Sequence, residues 1–281
     1  MKRNIQFFTH VVPLLLVVAL LLTFAAPAFA EGGPGKLPKG AKTIPLSEVM
    51  KEWKDVPPSI GVNGGMDPNY LFSVNELQEM HEKTLRAKQY YESRHISPNY
   101  LGSKTLSVGY YPEPDDDDHV NYCGPAATLV ALSARQPTSA SLLENVANEE
   151  WIHKPDPPNS CAPGVCMWKV RDVLNNRLNT THYVRDSAQD ANEFYSWVVT
   201  DIDHGYVLVT GVLTTYMPGW HVTAPHIVAV HGYWEASGDH QSVKYIETSS
   251  PHAGYNGPYY QSEERNRFFD VFVRDNNAQA K

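Results

Sequence analysis

Helix-like patterns fill the middle of this chain and strand-like runs fill its C-terminal third, and that order limits the folds open to it. "YVLVTGVL", "HIVAVHGYW", "SVKYIET" and "RFFDVFVRD" are β-branched and aromatic runs of strand length. Ahead of them "AATLVALSA" reads as a buried helix, and "VCMWKVRDVLNNRL" and "ANEFYSWVVTDID" carry apolar residues at helical spacing. "TLSVGYY", near residue 105, reads as a further strand. Helices first and strands later indicate an α+β domain, with the helical part packed on an antiparallel sheet. The 281 residues, 42 % of them hydrophobic, suffice for one sizeable core. The 16 tyrosines and 21 prolines suit strands, turns and irregular loops better than a helix bundle.

The N-terminal part has another texture. Residues 1–30 read as an export signal: "MKRN" is basic, "VVPLLLVVALLLTFAA" is apolar, and "AFA" ends in small residues at cleavage spacing. A retained membrane anchor is the alternative. Either way the remainder is expected outside the cytoplasm, secreted or on the extracellular surface. Residues 31–104 read as a linker and helical extension or pro-segment. "EGGPGKLPKGAK" is linker-like, "LSEVMKEWKD" is a short helix, and "SVNELQEMHEKTLRAKQYYESRH" is a longer one with Ser73 and Glu76 as a capping box. Its apolar stripe is thin, so it should lie on the surface of something larger. Residues 105–275 form the main domain and 276–281 a tail. The net charge of −8 gives no support to nucleic-acid binding, which needs a basic face.

Export changes the meaning of the three cysteines. Cys161 and Cys166, in "CAPGVC", flank a Pro-Gly turn that lets them pair. Cys123 is left over. It stands in "NYCGPAATLVAL", where Gly124 and Pro125 place it at the start of a helix. Unpaired N–H groups and the positive end of the helix dipole gather there, favouring thiolate and offering a donor to an oxyanion. A cysteine nucleophile needs a base. His226 opens the alternating run "HIVAVHGYW" and is the first candidate among 12 histidines. His231 competes, and His221, in the loop "MPGWHVTAP", is weaker.

Taken together, "NYCGPAATLVAL", then "HIVAVHGYW", then "VKYIETSSP" resemble the papain-fold cysteine peptidases related to bacteriocin-leader-processing peptidases, the cysteine-peptidase family 39-like group. The resemblance spans about residues 105–275. It implies a papain-like fold, Cys123 as nucleophile, His226 as general base and then acid, a peptide or protein as substrate, and no cofactor. A residue one strand beyond the histidine orients the imidazole in that group, usually Asp or Asn. Here "YIETSSP" offers Glu247, Thr248 or Ser250. Glu247 and Thr248 point to opposite faces, and a carboxylate both orients and stabilises an imidazolium, which favours Glu247. The group also carries a Gln a few residues before the cysteine as oxyanion donor. This chain has none there, leaving Asn121, His119 or a protonated Glu113.

These departures keep two other readings open: a papain-fold module that binds peptides without turnover, and an acyltransferase to amines of transglutaminase type. Residues before 105 would serve as an intramolecular inhibitory pro-segment. The acidic run 115–118 reads as a solvated loop, because it lacks the spacing of a calcium site, and the scattered histidines lack zinc-ligand spacing.

Overall fold

A computed structural model describes residues 43–45, 71–94, 102–154, 161, 164–236 and 240–281. The expected export signal, the linker and the helix read at "LSEVMKEWKD" lie outside the described residues. The chain is α+β, as its pattern order requires.

Short strands β1 (Thr43–Pro45) and β2 (Leu71–Ser73) pair antiparallel. Helix α1 (Val74–Arg94) follows directly. The capping box forms as expected: Ser73 Oγ accepts the Glu76 N–H at 3.1 Å and Glu76 Oε2 accepts the Ser73 N–H at 3.0 Å. Next come β3 (Ser103–Thr105), α2 (Cys123–Ser133), α3 (Leu143–Glu149), α4 (Met167–Leu178), β4 (Arg185–Asp186) and α5 (Ala191–Asp203). Strands β5 (Leu208–Leu213), β6 (Pro225–Ala236), β7 (His240–Ile246) and β8 (Tyr260–Glu264) complete the centre of the sheet. Helix α6 (Arg265–Arg267) runs into a π-helical turn, Phe268–Val273, and β9 (Gln279–Ala280) ends the described chain.

The sheet order is β4-β9-β5-β6-β7-β8, with β3 also on β6, and every pairing is antiparallel. Helices cover both faces rather than one. Along β6, Ile227 and Ala229 join the core beneath α2 and α4, while Val228 and Val230 join the core beneath α5 and the π-helical turn. β5 alternates likewise, Val209 one way and Leu208 and Val212 the other. α2 is buried from Gly124 to Leu132, so it is apolar all round and central. Each such Val or Leu contributes roughly 1.5–3 kcal/mol on leaving water.

Several expectations are corrected. "RFFDVFVRD" is helical, not a strand: Phe268, Phe269, Phe272 and Val273 are the buried positions, a spacing of one helix face. Of "TLSVGYY" only Thr105 lies in a strand, at the end of β3 (Ser103–Thr105), and the ladder against β6 ends after Leu106 N–H donates to His231 O. β6 has a register shift between Val230 and Gly232, and a Cβ at Gly232 would stand 2.7 Å from Lys104 O. Residues 276–281 are not a loose tail, because β9 lies between β4 and β5 inside the sheet. The expected Cys161–Cys166 disulfide is present.

Helix α1 lies on the surface with Met80 and Ala87 buried, docked against α5. Lys83 faces Asp201 at 3.6 Å, Lys88 meets Glu193 at 2.7 Å, and Arg94 meets Asp203 at 3.3 Å.

Candidate active site

Cys123 begins α2, and its backbone N–H precedes the first intrahelical bond, from Ala126 N–H to Tyr122 O. Gly124 is required by a close approach, not by a turn: a Cβ there would fall 2.1 Å from Val165 Cγ1. The thiol is free and half-buried. It opens into a cleft of about 240 Å³, walled by Asn121, Gly164 and Val165 on the helix side and by Trp220, His226 and Ser249 on the sheet side. No described residue before Val120 lines this cleft.

His226 sits at the start of β6, opposite Val212 of β5. Its backbone carbonyl accepts from Asn276 Nδ2 at 3.2 Å, and the same amide reaches Val212 O at 2.9 Å. A residue just ahead of β9 thus fixes the place where the β5–β6 ladder opens, a contribution that sequence reading missed because the pairing is remote in the chain. The ring is 3 % exposed and lines the same cleft as the Cys123 thiol. Nε2 meets Glu247 Oε1 at 2.7 Å, which leaves Nδ1 for the sulfur.

Glu247 follows β7 and is 1 % exposed. Oε1 also accepts the Ser249 N–H at 3.0 Å, and Oε2 accepts Trp220 Nε1–H at 3.0 Å. The Trp220 ring lies 4.8 Å from the His226 ring and covers the pair. The sequence signal for Trp220 is an indole in the loop "MPGWHVTAP", just ahead of a candidate histidine.

Burial alone pulls the His226 imidazolium toward neutrality, but the charge and hydrogen bond of Glu247, together with the nearby Cys123 thiol, win, so its pKa stands well above the ordinary 6.5. Burial pushes the Glu247 carboxyl up, yet His226, Trp220 and the Ser249 N–H outweigh it and hold it below the ordinary 4.5. The arrangement therefore favours a charged imidazolium–carboxylate pair.

The competing residues are engaged elsewhere. His231 faces Leu106 O at 3.3 Å, and His221 is exposed in its loop. Thr248 contributes its carbonyl to the Glu113 N–H at 2.9 Å, and the Ser250 N–H donates to Glu113 Oε1 at 3.1 Å; neither side chain meets His226. Among the proposed oxyanion donors, Asn121 lines the cleft, His119 is held by Asp116 at 2.5 Å, and Glu113 is buried behind the turn that bears Glu247. The acidic run forms a short turn, Asp117–His119, capped by Asp116, and Asp115 accepts the His252 N–H at 2.8 Å. Among the described residues no group of His, Cys, Asp and Glu is placed to hold a metal ion.

No family model matches the chain, and no curated protein matches it. Among solved structures the chain is similar to the bromelain protease from Ananas comosus in complex with the E64 inhibitor, at 11 % identity and a TM-score of 0.38. That likeness covers 63 % of this chain and 96 % of the other.

Proposed function

We propose that this chain is an exported thiol-dependent peptidase of papain-like type, related to the family 39-like group, that cleaves peptide bonds through a cysteine thioester. The observation that carries the reading is one cleft that brings together a half-buried thiol at a helix start and His226, whose ring is bonded to a buried Glu247. In this reading the Cys123 sulfur attacks the peptide carbonyl carbon. The oxyanion that develops lies beside the backbone N–H of Cys123 and the Asn121 side chain. Imidazolium Nδ1–H then protonates the leaving amine, the C–N bond breaks, and a thioester remains. His226 next takes a proton from water, the hydroxide adds to the thioester, and the carboxylate product leaves as sulfur is regained. Glu247 keeps the imidazole in one orientation and balances its charge throughout.

The Cys161–Cys166 disulfide supports placement in an oxidising compartment. Its Gly164–Val165 turn forms part of the cleft wall, so the loop has a place in substrate binding as well. Incubation of the protein with an unstructured polypeptide, followed by mass analysis of the fragments, tests the reading. The wild type is expected to cleave, and Cys123→Ala to abolish cleavage with its melting temperature retained. Equal cleavage by the two would remove the mechanism.

A further inference from the structure

Glu113 is a buried acid that the mechanism above does not use. It is 2 % exposed, and the chain binds it from several sides. Its N–H donates to Thr248 O at 2.9 Å, and its Oε1 accepts the Ser250 N–H at 3.1 Å. Oε2 is sealed from solvent with no hydrogen bond of ordinary geometry, with the Ser249 side chain beside the carboxyl. These contacts grip the same Glu247–Ser250 turn that presents the histidine's carboxylate partner. The charged groups facing the carboxyl are His226, from β6, and Glu247, from the end of β7.

We propose that Glu113 is a positioning residue whose carboxyl clamps the Glu247–Ser250 turn and whose ionisation sets the reactivity of Cys123 through the charge on His226. This inference rests on the cysteine-peptidase reading of the site. Two acids share one buried corner, and their surroundings push them apart. Glu247 has the imidazolium, an indole N–H and a backbone N–H, and stays ionised. Glu113 has one backbone N–H, and burial pushes it up to about 7, with His226 and the Ser250 N–H pulling the other way. Near neutrality it therefore changes charge while Glu247 does not. Neutral Glu113 leaves His226 with one counter-charge. Ionised Glu113 adds a second, which favours the imidazolium and, by coupling, the thiolate that pairs with it.

The test is the rate of Cys123 alkylation by iodoacetamide between pH 5 and 9, read by intact mass, in the wild type, Glu113→Gln and Glu113→Asp. Gln keeps the acceptor for the Ser250 N–H but cannot ionise; Asp keeps the charge on a shorter stem. In the wild type the rate should climb by about three- to tenfold through a step near neutral pH, the size of a half to one unit of pKa coupling. Glu113→Gln should lose the step and Glu113→Asp should keep it. A purely structural role would scale all rates and leave the step in Glu113→Gln, which overturns the proposal. Fast alkylation without any step in the wild type overturns the role of Glu113 alone, whereas alkylation no faster than a free peptide thiol overturns the peptidase reading together with it.

Discussion

At the scale of single residues, the charge on Glu247 matters more than its shape. Gln in its place can still accept from Nε2–H, but it supplies no counter-charge to a buried imidazolium and its amide group faces the Trp220 N–H or the ring. Glu247→Gln is expected to lower kcat by about 10²–10³-fold, on the scale of losing one preorganised electrostatic partner, with KM little changed; steady-state hydrolysis measures it. The pair also links stability to pH. His226 is held above 6.5, so its contribution is whole below 6.5 and fades as pH rises through the folded-state value. Glu247 is held below 4.5, so its contribution is whole above 4.5 and fades as pH falls through its folded-state value. Both are present together between those ordinary values. His226→Ala should cost about 3 kcal/mol, the usual penalty for orphaning a buried partner, with the loss greatest in that window. The double variant with Glu247→Ala should cost less than the sum of the two singles in chemical denaturation.

At the scale of elements, α2 is set by what presses on its first turn. Gly124→Ala would drive a methyl into Val165 and toward Glu150 Oε2, 3.3 Å from the added atom. Overpacking of this kind costs about 1–3 kcal/mol. It should also shrink the cleft wall, and Val165→Ala in the same chain should restore much of the loss; thermal melting and KM report the two parts. Glu150, at the end of α3, is fully buried and meets Thr128 Oγ1 at 2.5 Å. Burial pushes its carboxyl up to about 8. A raised value means that stability is whole below the ordinary 4.5 and falls as pH rises through about 8. Glu150→Gln should accordingly raise the melting temperature more at pH 8 than at pH 5. Legibility varied among the elements for physical reasons. Long periodic stretches such as α1, α4 and α5 were readable because amphipathic spacing reports a buried face. "RFFDVFVRD" misled because a short apolar run has no period of its own, and only tertiary packing of Phe268 and Phe272 made it helical. α3 and the two-residue strands β4 and β9 carry too little pattern to be seen, since partners far away in the chain create them.

At the scale of the whole molecule, the sheet holds the site together across long sequence distances. β6 brings His226 beside α2, the turn after β7 brings Glu247, and Asn276 ahead of β9 closes the open end of the ladder. The positions of Cys123 and His226 at a helix start and a strand start were legible because each sits in a local pattern, a Gly-Pro turn and an alternating run. Trp220, Asn276 and the Glu113 clamp were not, because their roles exist only once distant segments meet. On the opposite face of the sheet, α1 contributes ion pairs from Lys83, Lys88 and Arg94 to the domain. A combined Lys88→Ala and Arg94→Ala variant is expected to lower the melting temperature by several degrees, as about 1–2 kcal/mol does in a domain of this size, without altering KM. The most direct test of the Cys123–His226 pairing is the alkylation rate of Cys123 at pH 6 in the wild type and in His226→Ala. The account predicts a wild-type thiol about tenfold or more faster than the variant, because the imidazolium supplies the thiolate. Equal rates in the two proteins would contradict it.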